Sequence, residues 1–275
     1  MINEIEIDLR GIEEWRSLRK VLPEIFSSEI GERFSRHISE AGLIDPLSGP
    51  VSASEVSITS TNYRETVTAA GTNSRQRAVL MCLNDELSQR GIGCDVYASE
   101  AVSPLAKRLA AHLPNFVGSE YLPDASDRVR HPTLMHQNIL DFSFEDASFD
   151  IYLSCDVLEH VPGLDRALGE AARILRPGGV FMGTVPFAPG REQTLVRAVL
   201  TEAGVEHIEE SQYHGNPTRP QEGSLVFQVP AWDLLDMCRD AGFEDPRIRL
   251  IVSKRHGVFA GQVGFISLFY CVRAP

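Results

Sequence analysis

The sequence predicts an α/β protein with a doubly wound sheet, and three observations carry that expectation. Phe149–Leu153 is a short run with an aromatic and β-branched bias, suited to a strand buried on both faces. From Leu164 the apolar residues fall at Leu164, Ala167, Leu168, Ala171 and Leu175, a helical stripe with Asp165, Arg166, Glu170 and Arg173 on the opposite side. Pro177-Gly178-Gly179 then stops the helix behind Arg176, and Val180–Val185 resumes as a strand. The result is a strand–helix–strand unit with a polar, acidic loop after its first strand, which is where open α/β sheets hold ligands.

The other elements follow in chain order. Residues 1–45 read as two or three helices, with apolar positions at Ile12, Trp15, Leu18, Leu22, Ile25, Phe26, Ile30, Phe34 and Ile38. This leader is expected to cap the crevice or to meet a partner subunit in a homodimer. Residues 46–61, with Pro46, Gly49, Pro50 and several serines, read as a connector, so residues 1–61 form an extension and connector ahead of a domain spanning 62–275. Asp95–Glu100 is a strand ending in an acid, and Ser103-Pro104 starts the following helix as N-cap and first helical residue. Asn115–Tyr121 and Leu134–Asn138 are two more strands. After Pro186, residues 187–229 are far longer than an ordinary α/β loop and are expected to roof the ligand end of the sheet. A helix over 231–241 and strands over 247–253 and 264–272 complete the sheet.

The whole-chain numbers exclude several classes. A chain of 275 residues with 43% hydrophobic and 23% charged residues is ordinary for a globular protein with a sizeable core. The formal net charge of −12 disfavours a broad phosphate-tracking surface, so no nucleic-acid partner is expected. Cys82, Cys94, Cys155, Cys238 and Cys271 are odd in number and widely spaced, which suits reduced thiols in a cytoplasmic protein. No metal site is expected from them. No run approaches the roughly 18 apolar residues of a membrane span.

The candidate site is the line of strand ends. Glu120 lies about twenty residues beyond the first strand's turn, the spacing of a ribose-binding acid in nucleotide-binding βαβ units. A carboxylate suits that task because a diol offers two donors and a carboxylate two acceptor oxygens. Asn138 could hold an adenine edge while Ile139 and Leu140 cover the ring; a polar loop cap is the plainer alternative. His160, beside Glu159, is a candidate base near neutral pH or a loop-capping histidine. His214, in Tyr213-His214-Gly215-Asn216-Pro217, is a second candidate base or a turn residue. Arg64, Arg75 and Arg77 could bind a substrate anion or pair with acids such as Glu65.

The motifs Asp-Ala-Ser-Phe-Asp (146–150), Leu-Glu-His-Val (158–161) and Arg-Pro-Gly-Gly (176–179), in this order, make residues 95–186 similar to the class I S-adenosylmethionine-dependent methyltransferases of the type 11 kind. The resemblance implies a Rossmann-like seven-stranded sheet with its last strand antiparallel, S-adenosylmethionine as cofactor, and methyl transfer to a small-molecule or glycan acceptor, most simply at oxygen. Carried over by position, it implies cofactor contacts from Glu100, Ala101, Ser103, Glu120, Tyr121, Asn138, Ile139, Ser154 and Cys155. His160 and His214 fall to catalysis, and Glu159, Tyr213 and Asn216 to substrate. The chain departs from the family in having Glu100-Ala101-Val102-Ser103-Pro104 where a Gly-x-Gly-x-Gly turn is usual. A bacterial subgroup that also lacks this turn is similar through Asn73–Arg77, Gly118–Tyr121 and Tyr213–Pro217. The missing glycines leave a second function open, a methyltransferase-like binding or regulatory protein without turnover. A nicotinamide oxidoreductase is disfavoured, since no Gly-x-Gly-x-x-Gly follows a strand.

Overall fold

Hydrophobic alternation and parallel pairing organise the central sheet. In the computed structural model, which describes residues 2–275, seven strands are β1 (Glu4–Leu9), β2 (Val96–Ala98), β3 (Phe116–Gly118), β4 (Phe149–Cys155), β5 (Leu175–Thr184), β6 (Phe243–Ser253) and β7 (Ile266–Arg273). They hydrogen-bond in the order β1-β6-β7-β5-β4-β2-β3. The β2–β3, β2–β4 and β4–β5 pairs are parallel, and β7 runs antiparallel to β5, as the resemblance implies.

Contacts divide the chain into two compact units, one running to Ile92 and including Arg247–Leu268, the other comprising Gly93–Pro246 and Phe269–Pro275. In the first unit the leader is not purely helical. Helices α1 (Ile12–Val21) and α2 (Glu29–Ala41) form where the apolar spacing predicts them, but Glu4–Leu9 is a strand, antiparallel to Ile248–Ser253. Its sequence alternates Glu4-Ile5-Glu6-Ile7-Asp8-Leu9, a period of two that only a strand can present to one face. Residues 46–61, read as a connector, hold Gly49–Val51, which forms a hairpin with Leu43–Asp45, and a short strand, Ser57–Ile58, paired with Val67–Thr68.

The Asn73–Arg77 segment turns out to be the start of helix α3 (Ser74–Arg90). Asn73 Oδ1 accepts from Gln76 N at 2.8 Å while Asn73 N donates to Gln76 Oε1 at 3.1 Å, a reciprocal capping box. Ser74 Oγ donates to Phe259 O at 2.7 Å. Arg75 and Arg64 both pair with Glu65, and Arg77 is wholly buried. The Arg77 guanidinium donates to the carbonyls of Thr72 (2.7 Å), Val67 (3.1 Å), His256 (2.8 Å) and Gly257 (2.9 Å). These arginines are therefore structural, and the alternative that they bind a substrate anion is not supported.

In the second unit a row of rings crosses the sheet, because Tyr97 faces Tyr152 and Tyr152 faces Phe181 in register. Tyr97 stacks on Tyr152 at 5.0 Å, and Tyr152 on Phe181 at 4.5 Å, between ring centroids. Burial raises both phenol pKa values. Helices α4 (Pro104–His112) and α5 (Leu164–Ile174) begin and end close to the predicted positions. Two readings need correction. Pro177-Gly178-Gly179 does not lie before the strand but inside β5, where the register with β4 shifts between Phe149 and Ile151 and Gly178 takes φ +74°. Leu134–Asn138 is not a full strand; its pairing is reduced to an isolated parallel bridge between Glu120 and His136.

Replacing Arg77 with Met would remove the donor shared by four carbonyls. The chain is expected to lose about 3 kcal/mol or more of stability, read from urea unfolding midpoints at unchanged slope.

Candidate functional site

The parallel register of Val96–Ala98 with Phe116–Gly118 and Ile151–Leu153 sets Glu100, Glu120 and Cys155 at or just beyond neighbouring strand ends. The bridge from Glu120 to His136 brings Asn138 to the same edge. The turn after β2 lies close on β3: a Cβ on Gly118 would stand 2.7 Å from the Glu100 carbonyl oxygen. Across this contact Glu120 Oε1 accepts from Ala101 N at 2.8 Å and Val102 N at 3.0 Å. Backbone donors that a glycine turn would turn toward a ligand are here held by the protein's own carboxylate. Glu120 Oε2 has no hydrogen-bond partner among the described residues and is left for a donor from outside.

The remaining expected cofactor residues divide by their local work. Asn138 Oδ1 accepts from Leu140 N at 3.0 Å, closing a turn around a half-buried side chain. Ile139 is buried beneath it, and Tyr121 is 57% exposed. Ser103 Oγ accepts from Ala106 N at 3.0 Å, the N-cap bond its position predicts, so its hydroxyl serves the helix. Ser154 is fully buried within the β4–β5 ladder and presents no surface to the crevice, while Cys155 is half-buried. Asp156, next in sequence, takes φ +53°, a conformation of some strain for a non-glycine residue, and its N–H donates to Thr184 O at 2.8 Å. The donor set fits a ligand with a vicinal diol and an aromatic base: one carboxylate oxygen, one amide and an apolar floor share one edge.

A second cluster forms where the 187–229 insertion meets the turn after β4. Leu158–His160 is a short 3-10 turn. The insertion's return segment docks on it through Phe227 N to Glu159 O at 2.8 Å, and Gln228 Nε2 to Leu158 O at 2.9 Å and Val161 O at 3.0 Å. His160 Nδ1–H donates to Leu225 O at 2.8 Å. The hairpin pairing Tyr213–His214 with Ser224–Leu225 brings His214 over the same turn. The two imidazoles stand perpendicular at 4.9 Å, and Glu159 Oε1 lies 3.6 Å from His160 Nε2 and 3.4 Å from His214 Nδ1. The two predicted catalytic histidines therefore do come together, around a wholly buried Glu159. Tyr213 is 55% exposed. Asn216 is committed to its own turn, its Oδ1 accepting from Thr218 N, Thr218 Oγ1 and Arg219 N, so its expected substrate contact is not supported.

Sequence reasoning missed what anchors this insertion. Arg219 pairs with Asp124 and with the buried Asp127, which also accepts from Arg130. The Arg219 hydrogen bond holds the Asp127 carboxyl down at about 2. No local pattern signals a pair so far apart in the chain. Glu159 was among the expected substrate residues, but its full burial between the two histidines has no local signal.

Residues 89–183 match the family described as a methyltransferase domain. The match covers about a third of the chain and agrees with the resemblance that the 146–150, 158–161 and 176–179 motifs carry. The chain is 30% identical over 128 residues to a probable S-adenosylmethionine-dependent methyltransferase of Mycolicibacterium smegmatis, covering 44% of this chain and 47% of that protein. A probable S-adenosylmethionine-dependent methyltransferase of Mycobacterium tuberculosis is 28% identical over 123 residues, 42% of this chain and 43% of that protein. The chain thus spans less than half the length of these relatives in alignment. Among solved structures, an S-adenosylmethionine-dependent methyltransferase from Mesorhizobium loti superposes with TM-score 0.46 at 14% identity, covering 71% of this chain and 98% of that one. Among the described residues no helix is long and apolar enough to cross a membrane.

The Arg219–Asp127 pair sets a pH dependence. A carboxyl whose folded pKa of about 2 lies below the roughly 3.9 of an unfolded chain stabilises the fold fully above about pH 4 and loses that contribution as pH falls toward 2. The stability difference between the wild-type chain and Arg219→Gln, from urea titrations, is expected to stay constant from pH 7 to about 4 and to narrow below it.

Proposed function

We propose that the chain transfers the methyl group of S-adenosylmethionine to a small-molecule or glycan acceptor, at oxygen, in a biosynthetic or tailoring step. The observation that carries this reading is the convergence of Glu100, Glu120 and Asn138 at one sheet edge, with Glu120 Oε2 and the Asn138 amide left for a ligand. When bound, the cofactor supplies a methyl group already made electrophilic by its sulfonium. The protein has then to orient, to exclude water and to take up a proton.

Each task falls to named residues. Glu120 Oε2 would accept from the ribose diol, and the Asn138 NH₂ would donate to the adenine edge above Ile139. The 187–229 insertion, docked on the turn after β4, would cover the acceptor and exclude water. Loss of the acceptor's proton falls to the cluster of Glu159, His160 and His214. His160 is held in one orientation by Leu225 O, which leaves Nε2 as the atom facing the site.

Calorimetry with S-adenosylhomocysteine tests the reading: one molecule is expected to bind per chain. Glu120→Ala is expected to weaken that binding by about 1–3 kcal/mol, at a melting temperature showing that the fold survives. An absence of heat from a folded wild-type chain would overturn it. The clasp of Glu120 on Ala101 N and Val102 N would then support the second reading, a methyltransferase-like binding or regulatory protein.

A further inference from the structure

We propose that Glu159, His160 and His214 form a binding site for one divalent cation of the first transition row. Glu159 has no exposed surface, and neither of its carboxylate oxygens has a hydrogen-bond partner. A buried carboxylate in that state calls for a compensating cation close by. Its Oε1 lies 3.6 Å from His160 Nε2 and 3.4 Å from His214 Nδ1. The three ligand atoms, one from each residue, all lie within 4.8 Å of one another.

These separations choose between a shared proton and a shared metal. A protonated imidazole bound to a carboxylate closes to about 2.7–2.9 Å between heavy atoms. Two ligands bound to one ion at about 2.1 Å in tetrahedral geometry stand about 3.4 Å apart. The observed 3.4 and 3.6 Å match the second arrangement. The His160 tautomer agrees with it, while His214, whose Nε2 stands 3.4 Å from Gln212 Nε2, presents Nδ1 as a ligand only with the Gln212 amide turned so that its oxygen accepts from Nε2–H. A carbonyl can only accept, so the 2.8 Å bond from His160 Nδ1 to Leu225 O puts the ring proton on Nδ1. In the neutral ring Nε2 then presents a lone pair toward Glu159. A second ring nitrogen tied to a backbone carbonyl is the usual support of a metal-bound histidine. Lone pair facing carboxylate is repulsive until a cation stands between them.

One carboxylate and two imidazoles suit manganese, iron, cobalt or zinc as divalent ions better than magnesium or calcium, which favour all-oxygen sites. Glu159 and His160 come from the turn after β4, and His214 from the insertion, so the ion would also pin the insertion to that turn. If the transferase reading above holds, on which this consequence rests, positions left open on the ion would receive an acceptor hydroxyl. The ion would favour its ionised form, the proton passing to solvent. The histidines would then act as ligands, and the proton-removing role of the cluster would belong to the ion.

The test uses cobalt(II) alone, added to the full chain after chelator treatment and dialysis, with no cofactor or acceptor present. One equivalent is expected to bind, with visible absorption bands of a nitrogen-ligated ion. His214→Ala, on a partly exposed hairpin, and the near-isosteric Glu159→Gln are each expected to weaken binding at least about tenfold, with unchanged circular dichroism. No stoichiometric binding by the wild-type chain, or binding that both folded variants retain in full, would overturn the site. A chain that takes up S-adenosylhomocysteine but not cobalt(II) loses the cation site alone. One that takes up cobalt(II) but not S-adenosylhomocysteine loses the transferase reading alone.

Discussion

The second unit depends on β4 being paired in parallel on both sides. Because Ile151–Leu153 are in register with Val96–Ala98 and with Val180–Met182, neighbouring chain segments leave the sheet at one edge. The stacked rings of Tyr97, Tyr152 and Phe181 lock that register, since a slip of β4 by one residue would send Tyr152 to the other face and break both stacks. Everything with chemical potential hangs from the exit of this strand. Cys155 and the left-handed Asp156 end it, and the turn carrying Glu159 and His160 follows at once.

The two polar clusters differ in how they are held. Glu120, in a bridge to His136, and Asn138, at the start of a turn, are restrained by bonds to nearby backbone amides. The Glu159 cluster is assembled from segments far apart in sequence, and the insertion supplies both His214 and the carbonyl of Leu225 that orients His160. A third contact, Arg219 to Asp127, fastens the same insertion to the helix Ala125–Arg130. The insertion is thus part of the second cluster's construction as well as its cover.

What could be read from the sequence was what local physics controls. The Ser103-Pro104 start of α4 and the apolar stripe of α5 each rest on neighbours a few residues away. The edge strand Glu4–Leu9 was overlooked because a long helical periodicity follows it, although its own alternation was clear. The Leu134–Asn138 segment has the composition of a strand, yet its pairing stops at one bridge, a tertiary outcome that propensity does not control. In the candidate site, strand-end acids could be located from spacing. Their partners could not: nothing local says that Glu120 would turn to Ala101 and Val102, or that Asn216 would spend its oxygen on Thr218 and Arg219. The Arg64–Arg77 group misled for the same reason, since a basic cluster reads alike whether it awaits an anion or, as Arg77 does, gathers buried carbonyls.

Gly183 lies opposite Ser154 in the β4–β5 ladder, and a methyl group built on it would run into the Ser154 carbonyl. That collision is with main chain, which has no rotamer to relieve it. Position 183 is therefore closed to substitution in a way that the surrounding Phe181 and Met182 are not. Any diversification of this chain that keeps its architecture must vary around that residue.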